Sequence, residues 1–404
     1  MKILYFHQYF RTRKGSGGTR SYEFAKYLTS KGHQVTVVYA LSDKTSSILE
    51  GEYKKGLKRG IYEGINLIEF DLFYSNKMSF LKRSFIFLKY SMKSIRLAFK
   101  EDYDILFATS TPLTAGIPGI VMKLFRKKKF VFEVRDLWPE LPKEMGVIKN
   151  KGILALMSML EWLSYRMADA CVGLSPGIVK GIQKRRKRNG RIEMIPNASD
   201  TDLFFPQKES KTIIPGCSES DFVAIFTGAH GIANGLNSVI EVAGKVEKSG
   251  MDQIKFVFIG DGMQKPSLIE KVKELELNNC IFLEPVSKEY LRRYLNASDI
   301  GLMILANIPA FYYGTSPNKF FDYLAAGLPI LVNYPGWMSE IIKKNQCGVS
   351  VEPENPEKFA SVLIELSTNN DLLKEMGSKA RKVAEKEFSR SNICSKFEKF
   401  LISI

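Results

Sequence analysis

At 404 residues, with 45% hydrophobic and 25% charged content, the chain is too long for one ordinary core and reads as a globular protein of two domains of roughly 200 residues each. Its formal charge of +16 asks for an anionic partner, and charge alone leaves open nucleic acid, an anionic membrane surface or a phosphorylated small substrate. The five cysteines are odd in number, far apart and without a pair at metal-ligand spacing, the chain opens directly on a strand-like run, and no stretch suits a membrane span, so a reducing cytoplasm is expected.

Apolar strand-like runs alternate with helical patterns throughout, the signature of parallel sheets covered by helices. In the first half, strands are expected near residues 3–6, 35–39, 65–70, 105–108, 130–134, 170–173 and 193–195. The second half repeats the rhythm near 223–227, 255–259, 281–282, 300–304, 330–332 and 348–351. Two similar α/β domains follow, 1–198 and 199–385, with the turn-rich PNASDTDLFFP at 196–206 as the linker. A cleft between the domains is the expected site, and a last helix within 386–404 is expected to pack back on the first domain.

Ligands of open parallel sheets gather beyond the carboxyl ends of the strands. After the first strand come His7 and the loop RTRKGSGG at 11–18, where Gly17 and Gly18 let backbone N–H groups approach a phosphate. The loop is not GxGxxG, and the second strand ends in VVYA without an acid for a nicotinamide-cofactor ribose, which disfavours a dehydrogenase. A plain glycine loop is the alternative.

Residues 77–100 contain Phe80, Phe85, Phe87, Leu88 and Phe99 interleaved with Lys82, Arg83, Lys89, Lys93 and Arg96, and no acid. Such a basic amphipathic helix suits an anionic lipid surface, or else covers a domain with a solvated basic face. A second basic run lies at 180–191. Asp102-Tyr-Asp104 precedes a strand, whereas a metal site would follow one, so no metal is expected. EVRDLWPE at 133–140 groups charge at a strand end: Asp136 suits a hydroxylated acceptor, while Arg135 either pairs with Glu133 or meets a phosphate.

The second half supplies three strand-end turns suited to a nucleotide. They are FTGAHGIANG at 226–235 with Gly228, His230, Gly231 and Asn234, FIGDG at 258–262 with Gly260 and Gly262, and LEPVS at 283–287 with Pro285 and Val286. GTSPNKFFDYLAAGLPIL at 314–331 then predicts a helix with Ser316 as N-cap and Pro317 in the first position. Phe320, Tyr323 and Leu324 would face a core, leaving Asn318, Lys319 and Asp322 on the opposite face. A lysine in the first turn opposes the helix dipole unless an anion sits beside it, and Asp322 one turn deeper could accept from sugar hydroxyls. An ordinary surface helix with a Lys–Asp pair is the other reading.

Together these residues resemble the family 4 retaining glycosyltransferases of the GT-B fold over nearly the whole chain, from Gly17-Gly18 through Asp202 and Gly228 to Pro329. GGTRSYEFAKYL, ATSTPLTAGIPG, FEVRDLWPE and SPNKFFDYLAAGLPI are similar to O-antigen and capsule enzymes of the N-acetylfucosamine-transferase type. The resemblance implies two Rossmann-like domains, the second binding a UDP-sugar and the first the acceptor. It implies transfer of an N-acetylated hexose or deoxyhexose to a lipid-linked glycan, at the inner face of the cytoplasmic membrane, without metal or nucleic acid. It places Asp322 at the ribose as the second of the family's two carboxylates, and Gly314 where the first would be. Asn234 stands where many relatives carry a basic residue, which leaves Lys319 as the main basic group at the diphosphate. The N–H groups at 316–318 and 228–231 would assist Lys319, while His7 and Asp136 position the acceptor. A non-hydrolysing UDP-sugar epimerase and a catalytically silent UDP-sugar-binding partner are the alternatives.

Overall fold

β1 (Lys2–Phe6) is apolar after its first residue and covered on both faces, as a central strand of a parallel sheet must be. In the computed structural model, which describes residues 1–13, 17–43, 47–75, 77–186 and 190–404, it is joined by seven more strands. These are β2 (Gln34–Ser42), β3 (Leu57–Tyr62), β4 (Ile65–Tyr74), β5 (Ile105–Thr109), β6 (Lys129–Val134), β7 (Ala170–Gly173) and β8 (Arg191–Met194). Their order is β3-β4-β2-β1-β5-β6-β7-β8, parallel except that β3 runs antiparallel to β4. The chain thus reverses its direction of growth between β1 and β5, and the crevice beyond that pair is where such a sheet holds ligands.

β3 is absent from the sequence expectation, and its LKRGIY run explains why: a half-exposed edge strand carries no continuous apolar signal. The strand expected at 193–195 lies at Arg191–Met194, the other edge of this sheet.

A second sheet contains β9 (Phe222–Thr227), β10 (Ile254–Ile259), β11 (Cys280–Leu283), β12 (Ile300–Met303), β13 (Ile330–Val332) and β14 (Gly348–Ser350). All its pairs are parallel, in the order β11-β10-β9-β12-β13-β14, so its switch point lies between β9 and β12. Each sheet has its own apolar core.

The chain divides into a first unit of Met1–Pro196, Gly314–Ser316 and Ser391–Ile404 and a second of Asn197–Tyr313 and Pro317–Arg390. The segment expected as the linker is not a loose connection: from Asn197 on it belongs to the second unit. Ser199 donates its N–H to the Phe388 carbonyl at 2.7 Å and accepts the Arg390 N–H at 2.9 Å. Asp200 is held by Lys288 at 2.9 Å and Arg390 at 2.7 Å. Burial works against its charge, but the two cations outweigh it and hold the carboxyl below its usual range.

The last helix, Arg390–Ile402, completes the first unit's core. Phe397 stacks on Phe24 with centroids 4.3 Å apart and meets Phe107 at 5.0 Å. Among the described residues no helix is long and apolar enough to cross a membrane.

Candidate functional site

In the second unit the turns after β9 and β10 lie directly on one another, and glycine makes this possible. A Cβ on Gly260 would sit 1.8 Å from the Gly228 carbonyl oxygen, and one on Gly262 would sit 2.4 Å from that of His230. Gly228 and Gly260 also hold positive φ angles of 129° and 148°. The N–H groups of Gly228 and His230 donate to the Ile259 and Asp261 carbonyls, both at 2.9 Å, and that of Gly260 donates to Leu283 at 3.2 Å. These contacts correct the expectation that the whole 228–231 loop offers its N–H groups to a diphosphate. Only those of Ala229 and Gly231 have no acceptor among the described residues.

The ring of His230, expected among the nucleotide contacts, is fully buried. It is enclosed by Phe226, Phe258 and Phe282 at centroid distances of 6.0, 6.4 and 5.9 Å, with neither nitrogen hydrogen-bonded. Burial, then Lys265 and Lys319, push its pKa down to about 4, so the ring is neutral. Lys265, which sequence reasoning missed, clasps the turns from below. Its Nζ donates to the Gly260 and Leu283 carbonyls at 3.0 and 3.1 Å and to Glu284 at 2.6 Å. Nothing in its local sequence separates it from a surface lysine. Pro285, exposed, and Val286, half-buried, follow β11 beside this clasp.

The helix that carries the central residues spans Asn318–Ala326. Its N-cap is Pro317, with an extended ψ of 132° and no side-chain cap, so the start lies one residue later than Ser316 predicts. Phe320, Phe321, Tyr323 and Leu324 form the buried face. The Tyr323 hydroxyl accepts the Thr227 N–H at 3.0 Å, which ties the helix to the end of β9. Arg381 donates to the Ala325 carbonyl at 2.6 Å, and Gly327, at a φ of 67°, ends the helix in the left-handed region.

This leaves Asn318, Lys319 and Asp322 half-buried on the other face. Lys319 Nζ donates to Asn234 Oδ1 at 3.1 Å, lies 3.5 Å above the centroid of Phe226, and sits 3.4 Å from where a Cβ of Gly228 would be. The fold thus joins three predicted donor-site residues from two distant segments. Lys319 has no carboxylate partner among the described residues, and burial pulls its pKa well below that of an ordinary lysine. The N–H groups of Asn318 and Lys319 open the helix without an intrahelical acceptor.

Asp322, one turn on, forms no hydrogen bond or salt bridge among the described residues. Burial raises its pKa to about 6, opposed by Lys288 and Arg390 and assisted by Asp200. Around Gly314 no atom lies within 4 Å of an added Cβ.

In the first unit, Glu133 is fully buried and taken by Arg20 at 2.8 Å and by the Thr109 hydroxyl at 2.8 Å. Arg20 also donates to the Ile195 and Pro196 carbonyls. The alternative in which Arg135 pairs with Glu133 therefore falls, and Arg135 contributes only its backbone N–H, to Ser110 Oγ at 2.9 Å. His7 follows β1 and is 4% exposed, its Nδ1 without a partner. Burial first, then Arg135 and Arg11, push its pKa well down. Burial raises that of Asp136 against the pull of Arg135. Gly17, at a φ of 113°, lies against the Arg11 guanidinium, with the half-buried Gly18 beside it. The rest of that glycine loop, 14–16, lies outside the described residues, as do 187–189 of the second basic run.

Two parallel-sheet Rossmann-like units, each with polar groups gathered at its switch point, define the GT-B architecture. Residues 17–203 match the family described as Glycosyltransferase Family 4, and residues 207–383 match Glycosyl transferases group 1. The chain is a glycosyltransferase built from these two domains. It is 20% identical over 389 residues to N-acetyl-alpha-D-glucosaminyl L-malate synthase of Bacillus anthracis, covering 95% of this chain and 93% of that one. Among solved structures it resembles HepE of Anabaena in complex with UDP and glucose, with a TM-score of 0.71, 14% identity and full coverage of both chains. It also resembles WaaG, a glycosyltransferase involved in lipopolysaccharide biosynthesis, with a TM-score of 0.69, 15% identity and 98% coverage of each chain.

Proposed function

We propose that the protein is a retaining transferase that moves an N-acetylated hexose or deoxyhexose from a UDP-sugar to a lipid-linked glycan during surface polysaccharide assembly. The observation that carries this reading is Lys319. Among the described residues it is a desolvated lysine with no counter-ion, set beside Asn234 and Gly228 in the first turn of a helix whose next turn presents Asp322, itself without a partner there. An anion is what such a lysine lacks, and a departing diphosphate supplies one as its charge develops. Ser316, Pro317 and Asn318 lead into the same helix start, and Asp322 accepts from ribose hydroxyls.

The UDP bound by HepE, the N-acetylglucosaminyl group in the name of the Bacillus relative and the lipopolysaccharide role of WaaG all support this assignment. In the proposed reaction the sugar stays on one face, with the leaving phosphate accepting the proton of the acceptor hydroxyl. Lys319 and the helix N–H groups provide the positive charge, so chelation with EDTA is expected to leave the rate unchanged.

A face of the first unit favours a membrane-borne acceptor. The helix Phe80–Lys100 packs beside Ile117–Arg126, which packs beside Lys151–Met167. Leu81, Phe85, Leu88 and Met92 stand exposed at helical spacing, with Phe125 and Trp162 exposed on the two neighbours. Exposed Lys82, Lys89 and Arg96 flank the stripe, the combination that binds anionic lipid.

A panel of UDP-sugars assayed with a lipid-linked acceptor, with products read by mass and anomeric configuration, tests the reading. A new glycoside of retained configuration supports it, whereas an isomerised donor with no glycoside refutes it. Flotation with anionic liposomes tests the membrane face, and equal flotation of the wild type and a Leu81→Glu, Phe85→Glu double variant would remove it.

A further inference from the structure

Lys265 opens the helix Lys265–Glu274 and is 7% exposed. Its ammonium has three protons, and each has an acceptor: the Gly260 carbonyl at 3.0 Å, the Leu283 carbonyl at 3.1 Å and Glu284 Oε1 at 2.6 Å. The Glu284 side chain is 81% exposed, so this ion pair adds little to stability. Burial takes the ammonium out of water and freezes a long side chain, and two neutral carbonyls with one screened carboxylate offset that poorly. What the contact supplies is fixed geometry at two turns.

The first of these turns follows β11, the edge strand of its sheet, which is hydrogen-bonded to β10 alone. Leu283 ends that strand, and its carbonyl accepts both the Gly260 N–H and the Lys265 ammonium. Beyond it the main chain has no anchor for three residues. Pro285 has no N–H, and no backbone hydrogen bond of Glu284, Pro285 or Val286 forms among the described residues. Ser287 then caps the helix Lys288–Asn296 by accepting the Tyr290 N–H at 3.4 Å. Lys265 is therefore a last fixed point before Pro285 and Val286.

The second turn follows β10. There the same ammonium holds Gly260, which has no side chain and so lies against the Gly228 carbonyl, and Gly228 in turn faces Lys319. One buried ammonium thus joins the turns beside Lys319 to the turn that carries Pro285 and Val286.

We infer that Lys265 is a positioning residue that sets the spacing between the diphosphate end of the donor site and the turn that meets the base, and so makes the site select its nucleotide. This rests on the reading of the second unit as the UDP-sugar side. Lys265 acts through main-chain carbonyls, without touching the donor.

Titration calorimetry of UDP and CDP, which differ only at the pairing edge of the base, into the full chain tests this. The wild type is expected to prefer UDP by about tenfold or more, and Lys265→Met, of similar length but without donors, to bring the two affinities within about threefold of each other. Lys265→Arg keeps donors for both carbonyls and is expected to keep the preference. Melting temperatures identify the folded variants, and Lys265→Gln, which donates to one carbonyl at most, repeats the comparison if the methionine variant does not fold. A UDP preference as large in the methionine or glutamine variant as in the wild type would overturn the inference, and so would a wild type that binds UDP and CDP alike. Loss of the preference in the arginine variant too would reduce Lys265 to packing. The donor reading fails separately, if the wild type binds neither nucleotide or if Lys319→Ala leaves UDP binding intact.

Discussion

Replacing Asp322 by asparagine should make the protein more stable and a poorer enzyme. Burial raises the carboxyl from 3.8 to about 6, so the folded state holds a proton more tightly than the unfolded chain does between those values. Stability therefore falls as pH rises through that window, and the whole penalty is present at pH 7. A shift of about two pH units at about 1.4 kcal/mol each sets an upper bound of about 3 kcal/mol, and partial solvent access reduces it to about 1–3 kcal/mol. Asp322→Asn keeps the shape and removes the charge. Its melting temperature at pH 7 should exceed the wild type's by about 2–4 °C for each kcal/mol regained, and the gap should close as pH falls towards about 4. UDP affinity, by contrast, should drop about tenfold to a hundredfold, because charged hydrogen bonds to the ribose hydroxyls are lost. Wild-type UDP affinity should itself weaken below about pH 6, as the carboxyl takes up its proton. Scanning fluorimetry across pH, with and without UDP, measures both effects. A variant no more stable than wild type at pH 7, or one that binds UDP equally well, would refute the reasoning.

Other substitutions probe the remaining parts. Lys319→Met removes the uncompensated cation at similar volume, so stability should hold or rise while kcat falls about a hundredfold or more, and a near-normal rate at saturating donor would reject the diphosphate role. Gly260→Ala drives a methyl group into the Gly228 carbonyl, so a loss of about 2–4 kcal/mol in urea unfolding is expected, whereas Gly314→Ala, with open space around it, should stay within about 0.5 kcal/mol. Arg20→Met leaves Glu133 buried and unpaired and should cost about 3–5 kcal/mol, visible as a lowered melting temperature.

Much of this was legible in the chain itself, because both signals used are local. Continuous apolar runs mark the central strands, and a period of 3.6 sets Asn318, Lys319 and Asp322 on one helix face. What stayed hidden depends on partners far apart in sequence. Lys319 finds Asn234 across 85 positions, and Glu133 takes Arg20 across 113, so no local rule could choose between Arg20 and Arg135. The glycines misled in an instructive way. A glycine that lets backbone approach a phosphate and one that lets backbone approach another turn look alike in sequence, and at Gly260 and Gly262 the neighbour is protein. His230 shows the same limit, since a histidine between two glycines reads as a ligand group until three phenylalanines close around it.

The helix Arg390–Ile402 imposes an order on synthesis. Phe24 and Phe107, both made early, also pack against Phe397, which lies far downstream of either. Until Phe397 is made, the first unit carries an apolar flank uncovered. Truncation before residue 391 should therefore send the earlier-made unit, not the shortened end, into aggregates.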